Sequence, residues 1–160
     1  MKIAITGGSG FIGKWLLLAL HKDFDVVVLG RQNVKTLKIG DNHFSYVSTD
    51  YTPETLIRAL NGCDAVVHLA AKRFTENSQF RSYFDNIEIS DNLFAACRQI
   101  HILNIVNLSS QSVYSEANQI PWLEDDIARP ANFYGLSKIT VENLAAYYNS
   151  QHGLKIKSLR

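Results

Sequence analysis

Residues 2–20 read KIAITGGSGFIGKWLLLAL. A short apolar run rich in β-branched residues, Lys2 to Thr6, meets glycines at Gly7, Gly8, Gly10 and Gly13. A helical run starts at about Phe11 and continues to His21. A strand, a glycine-rich turn and a helix in immediate succession form the unit that cradles a phosphate. In Gly7-x-x-Gly10-x-x-Gly13 one glycine permits the tight turn, one lets a pyrophosphate approach, and one lets helix and strand pack closely. The helix N-terminus adds unpaired amides and a partial positive charge. No Gly-Lys-Ser/Thr follows, so this is not a mononucleotide P-loop. The alternative is a purely structural strand–helix turn.

Working outward, strand and helix signals alternate. DVVVLG (Asp25–Gly30), FSYVSTD (Phe44–Asp50), AVVHLAA (Ala65–Ala71), NIVNLSS (Asn104–Ser110) and LKIKSLR (Leu154–Arg160) read as strands. Thr52-Pro53 marks a helix start, with that helix running to Leu60. Long helical patterns cover Gln79–Gln99 and Phe133–Ser150. Apolar strands alternating with helices predict a Rossmann-type α/β fold, a doubly wound parallel sheet in three αβα layers, with residues 1–160 as one domain. In such sheets ligands bind beyond the carboxyl ends of the strands, where the strand order reverses.

Composition narrows the function classes. The chain is 46% hydrophobic and 19% charged, and sixteen basic residues balance fifteen acidic ones for a net charge of +1. That balance argues against nucleic acid or an anionic membrane as partner. Trp15–Leu20 is too short to span a bilayer, and the glycine cluster occupies the place of a signal-peptide core. Cys63 and Cys97 read as buried thiols in a reducing cytoplasm. His21, His43, His101 and His152 have no metal-ligand spacing, and His68 reads as a core or edge histidine. Trp15 and Leu16–Leu18 read as core. Glu124, Asp125 and Asp126 read as a solvated loop cluster, and Lys72 and Arg73, just past the fourth predicted strand, read either as phosphate contacts or as solvated loop cations.

Two further patterns bear on chemistry. A strand that serves NAD usually ends in an acid for the ribose 2′-hydroxyl. Here the second strand ends in Gly30, followed by Arg31, whose guanidinium fork suits a 2′-phosphate. This favours NADP over NAD, with an exposed loop arginine as the alternative. Second, Tyr134 and Lys138 are four residues apart on a predicted helix and share a face, with an exposed helical pair as the alternative when this spacing stands alone. An ammonium beside a phenol favours the phenolate, which makes Tyr134 a candidate general acid/base. Ser110, after the fifth predicted strand, is placed to hydrogen-bond the reacting oxygen.

TGGSGFIG, HLAA, LSSQSVY and YGLSK, in this order, resemble the extended short-chain dehydrogenase/reductase family, and within it the NAD(P)-dependent epimerase/dehydratase group acting on nucleotide sugars. The resemblance runs from Lys2 to Arg160. It implies Ser110, Tyr134 and Lys138 as the catalytic set, with Tyr134 and Lys138 also at the nicotinamide ribose. It implies Gly7, Gly10, Phe11, Ile12 and Gly13 at the pyrophosphate, and Asp50 and Tyr51 at the adenosine end, where the residues themselves already suggest Arg31. Leu69, Ala70 and Ala71 would line the cofactor, and Asn86 would lie on the nicotinamide side. The chain departs from the family in lacking the acid after strand two. Ile87-Glu88 stands where a Gly-Thr pair usually follows the asparagine, and Ser115 where glycine usually follows Tyr114. Members also continue into a nicotinamide loop and a smaller substrate domain, so the 160 residues correspond to the cofactor-binding part of a longer protein. A nucleotide-sugar substrate and a homodimer through the two long helices follow from the same resemblance. A non-enzymatic cofactor sensor or an interaction module of the same fold is the competing reading. The intact Ser, Tyr and Lys argue against a sensor, which needs only the glycine turn.

Overall fold

The computed structural model describes residues 1–72 and 79–160, and Arg73 therefore lies outside the described residues. The strands are β1 (Lys2–Thr6), β2 (Asp25–Gly30), β3 (Thr36–Ile39), β4 (Asn42–Ser48), β5 (Ala65–His68), β6 (Asn104–Leu108) and β7 (Lys155–Leu159). They form one sheet in the order β3-β4-β2-β1-β5-β6-β7. The helices are α1 (Phe11–Leu20), α2 (Pro53–Ala59), α3 (Gln79–Gln99) and α4 (Phe133–His152). Every pairing is parallel except β3 with β4. The fold is therefore Rossmann-like, as the alternating pattern predicts. From β1 the chain builds outward to β2 and β4, then returns to build β5, β6 and β7 on the other side. The reversal falls between β1 and β5, and the glycine turn begins at the carboxyl end of β1.

Strand β3 is absent from the sequence reading. Its residues, TLKI, are half solvent-facing, and Gly40 at φ +59° closes a hairpin in which Ile39 faces Asn42. Such an edge strand carries lysine and little hydrophobic signal. The Gly-Asp pair at 40–41 is the feature that points to it.

Two core clusters hold the layers together. Leu56, Leu60, Leu93, Phe94 and Ile105 belong to the cluster between the sheet and α2, α3 and α4. Leu17 of α1 packs against Ile5, Val28, Phe44 and Tyr46 on the other face, with Leu16 and Leu18 partly buried beside it, whereas Trp15, expected in the core, is exposed. Among the described residues no helix is long and apolar enough to cross a membrane, and no group of three or more His, Cys, Asp or Glu is placed to hold a metal ion.

Four of the expected strands stop early: β4 ends at Ser48 rather than Asp50 and β7 at Leu159 rather than Arg160, while the shortenings of β5 and β6 build the candidate site. β5 ends at His68 rather than Ala71, because the Thr6 hydroxyl oxygen accepts the Leu69 and Ala70 amides, each at 3.2 Å. This draws the chain over Gly7. β6 ends at Leu108 rather than Ser110, because Ser110 caps a short 3-10 turn over Gln111–Val113.

Candidate functional site

The glycine turn is shaped by backbone. Gly7 has φ +69°, and a Cβ there would lie 2.8 Å from the Ala70 nitrogen. A Cβ on Gly13 would lie 2.5 Å from the Gly7 carbonyl oxygen and 2.6 Å from Gly8 Cα. Neither obstacle is a side chain that can rotate away. Gly10 is the N-cap of α1, with no side-chain cap and no acid in the first turn. The helix amides and dipole are thus left to an external anion. Phe11 and Ile12 open α1 with their side chains exposed.

A cleft of about 370 Å³ extends from this turn. Gly7 and Gly10 form one wall, Leu69, Ala70 and Ala71 another, and Gly30, Arg31 and Tyr51 close the far end. The Arg31 guanidinium lies 5.4 Å from the Tyr51 ring centroid, and among the described residues no ion-pair partner holds it. Tyr51 is buried with φ +69°, and burial pushes its hydroxyl up to about 12. Asp50 Oδ1 accepts from Thr55 Oγ1 at 2.6 Å, Thr52 Oγ1 at 2.8 Å and the Thr52 amide at 2.9 Å, which lowers its carboxyl to about 2. Asp50 thereby braces the turn into α2, while also lining a polar recess beside Arg31.

The second part of the site lies at the carboxyl end of β6. Asn132 accepts the Gly135 amide at 2.8 Å and so starts α4, placing Tyr134 in its first turn. A Cβ on Gly135 would lie 2.0 Å from the Ser112 carbonyl, so the start of α4 presses directly on the turn that Ser110 caps. Ser110 Oγ accepts the Ser112 amide at 3.1 Å. Lys138 is 7% exposed; its Nζ donates to the Leu108 carbonyl at 2.7 Å and lies 5.7 Å from the Tyr134 ring centroid. Burial lowers this ammonium to about 8, with Glu142 opposing the shift. The fold thus gathers Ser110, Tyr134 and Lys138 at one corner, whereas Arg31 stands at the far end of the cleft and Asp50 lines the recess beside it.

The two parts are joined by buried hydrogen bonds whose direction can be assigned. Thr6 Oγ1 already accepts two amides, so its proton goes to His68 Nδ1 at 2.7 Å. His68 Nε2 then donates to Ser90 Oγ at 3.1 Å, and Ser90 donates to the Asn86 carbonyl at 2.8 Å. The Asn86 side chain accepts the Lys72 amide at 2.7 Å and donates to the Lys72 carbonyl at 3.1 Å and to Ser137 Oγ at 3.2 Å. Both ends of the wall 69–72 are therefore tied to His68. Asn86 points into this network and grips the wall from behind. His68 is 2% exposed, and burial, aided by the Lys138 charge, lowers it to about 3, so it is neutral.

Sequence reading passed over Glu142 and Arg160. Glu142 accepts from Ser109 Oγ and from Arg160 Nη2 at 2.8 Å, and Arg160 Nη1 also donates to the Glu124 carbonyl at 2.9 Å. The spacing of Glu142, four residues beyond Lys138 on one helix face, was the available signal.

Comparison with known proteins agrees with this fold. The model of the NAD dependent epimerase/dehydratase family matches residues 3–160. The chain belongs to that family. It is 32% identical to an uncharacterised UDP-glucose epimerase of Bacillus subtilis, covering all of this chain and 55% of that protein. The crystal structure of UDP-N-acetylglucosamine 4-epimerase from Bacillus cereus superposes with a TM-score of 0.88 at 39% identity, over all of this chain and 53% of that one. A UDP-glucuronic acid 4-epimerase from Bacillus cereus, solved in complex with NAD, gives 0.83 at 29% identity, over all of this chain and 56% of that one. The chain spans about half the length of the relatives it matches.

Proposed function

We propose that these residues form the dinucleotide-binding and catalytic part of a nucleotide-sugar epimerase, dehydratase or reductase. The observation that carries the reading is Lys138, a buried ammonium fixed on the Leu108 carbonyl beside Tyr134, at the strand ends that the glycine turn also faces. The cleft fits a dinucleotide: its wall is backbone that any Cβ on Gly7 would obstruct, and an uncapped helix N-terminus faces it. Gly7, Gly10, Phe11, Ile12 and Gly13 would hold the pyrophosphate. Arg31, Asp50 and Tyr51 would hold the adenosine end, Leu69, Ala70 and Ala71 the middle, and Tyr134 and Lys138 the nicotinamide ribose. Asn86 acts on that site by fixing the wall at Lys72.

When bound, the nicotinamide supplies the two-electron oxidation and reduction of the sugar carbon. Tyr134 takes and returns the proton of the sugar hydroxyl as general acid/base. The Lys138 ammonium stabilises negative charge developing on the phenol oxygen. Ser110 hydrogen-bonds the oxygen whose proton moves and so orients it.

Three finer assignments belong to this reading. Arg31 beyond Gly30 supports NADP over NAD. Exposed Phe80 and Phe84 on α3, with Leu136 and Tyr147 on α4, support a second copy packing against these helices. Two buried free thiols, Cys63 and Cys97, support a cytoplasmic setting.

Calorimetric titration of the 160-residue chain with each dinucleotide tests the reading. NADP should bind more tightly, and Arg31→Ala should erase a preference of about tenfold or more. Binding of neither dinucleotide would overturn it. The isolated chain should show no useful turnover of a nucleotide sugar, because binding remote parts of a substrate is what positions its reacting carbon.

A further inference from the structure

The end of β2 and the neighbouring β4 hold a steric arrangement that the family motif does not use. Parallel pairing sets Val28 opposite Tyr46 and Gly30 opposite Ser48, so Gly30 and Tyr46 are diagonal neighbours on one face of the sheet. Tyr46 is 6% exposed and packs into the core cluster of α1 with Leu17 and Val28. Its hydroxyl projects beyond β2 into the cleft and accepts the Gln32 amide at 3.1 Å. A Cβ placed on Gly30 would lie 2.2 Å from that hydroxyl oxygen and 3.1 Å from the ring carbon that carries it. A tyrosine has two side-chain torsions, and its ring here is clamped in the core, so the tip cannot swing aside. The hydroxyl of Tyr46 already fills the volume that any side chain on residue 30 would need.

We propose that Tyr46 is a specificity-determining residue of the cleft: its neutral hydroxyl occupies the end of β2 in place of a carboxylate and, together with Arg31, selects a dinucleotide bearing a 2′-phosphate. The proposal rests on the dinucleotide reading of the cleft. The Gln32 amide donates into the Tyr46 oxygen, and among the described residues no acceptor takes its proton. The hydroxyl is therefore a donor towards the cleft. A donor matches a phosphate oxygen through a charge-assisted hydrogen bond. A carboxylate at this place would repel the phosphate and accept instead from a ribose 2′-hydroxyl. Arg31, held over Tyr51, brings the positive charge to the same spot from the opposite face of β2.

Calorimetry with NAD and NADP on the full 160-residue chain tests this with three variants. Tyr46→Phe keeps the ring and its packing; it should weaken NADP about tenfold and NAD by no more than about twofold. Gly30→Asp alone should weaken both dinucleotides, because the carboxylate collides with the Tyr46 hydroxyl. Gly30→Asp with Tyr46→Leu relieves the collision and should reverse the preference towards NAD. An equal loss of both dinucleotides in Tyr46→Phe would reduce Tyr46 to a structural role and overturn the proposal. So would tighter binding of NAD by the unmodified chain, or Gly30→Asp alone binding NAD as well as the double variant does. A chain that binds neither dinucleotide overturns the cleft reading itself. One that binds both, with a ratio indifferent to residue 46, overturns only the role of Tyr46.

Discussion

Around the glycine turn the cleft wall is bare backbone: Gly7 under Ala70, Gly13 against the Gly7 carbonyl, and the uncapped start of α1. Around the β6–α4 corner the wall is made of buried polar side chains. There Lys138 is desolvated on a carbonyl, His68 is held neutral, and Asn107 Oδ1 has no partner among the described residues. The first region obtains its shape by omitting atoms, and its conformation agrees with what glycine prefers. The second holds groups that would be better solvated in the unfolded chain. Substitutions in the first region should therefore damage stability and binding together. Substitutions in the second should separate the two, which is what a site placed under electrostatic strain for chemistry would show.

The sharpest separation is expected at Tyr134. In the whole protein Tyr134→Phe should lower turnover by about 10²–10⁴-fold while leaving dinucleotide affinity and thermal midpoint nearly unchanged, since only the phenolic hydroxyl is lost. Steady-state kinetics and calorimetry read the two effects. Turnover within about twofold of the parent would remove Tyr134 from the chemistry.

Gly13→Ala attacks the other region. The added methyl group meets the Gly7 carbonyl oxygen and Gly8 Cα, both backbone atoms, so α1 must lift from the turn. The expected cost is about 2–3 kcal/mol in denaturant unfolding, with loss of dinucleotide binding. Full stability in the variant would mean that the turn yields easily, and the contrast between the two regions would fail.

Lys138→Met should move stability the opposite way. Folding lowers the lysine from 10.5 to about 8. At neutral pH the folded chain keeps a buried charge at a cost of about 3 kcal/mol from that shift. The variant removes this cost but leaves the Leu108 carbonyl without its donor, so the net gain should be about 1–2 kcal/mol. The sign fixes the pH dependence. Between about 8 and 10.5 the unfolded chain binds more protons than the folded one, so the parent gains stability as pH rises and the advantage of the variant shrinks. Urea melts at pH 7 and pH 10 would show it, and a variant less stable at pH 7 would contradict it.

Much of the first region was legible in the residues, and the reason is physical. Glycine spacing after a β-branched run reports close backbone approach directly; of the second region, Tyr134 with Lys138 reports only a shared helix face. Tyr46 was not legible, because its role depends on a diagonal register between β2 and β4 that no local pattern encodes. His68 read as a core histidine, which is where it lies. The network it enters joins Thr6 of β1 to Ser90 and Asn86 of α3, so it exists only once sheet and helix are assembled. β3 was hidden by its exposure, since a half-solvated edge strand has no apolar run to announce it. Asp50 was assigned from resemblance to the adenosine end, and its three bonds within the turn to α2 lay beyond that argument.

The smallest expected effect tests the link between the two regions. His68 titrates near 6.5 when unfolded and near 3 when buried between Thr6 and Ser90. Its folded value is depressed, so its contribution to stability is present above 6.5 and is lost as pH falls towards 3. From pH 7 to about 5.5 this single group should cost the parent about 1 kcal/mol. Asp50 does not confuse the measurement, because its folded value of about 2 lies below an ordinary 3.8, and its contribution fades only at lower pH. His68→Gln retains a donor for Ser90 and does not titrate. Its overall stability should fall, but its unfolding free energy should decline by about 1 kcal/mol less than the parent's over the same interval. Parallel decline in the two proteins would show that His68 is not held neutral, and that the wall 69–72 is not tied to α3 through it.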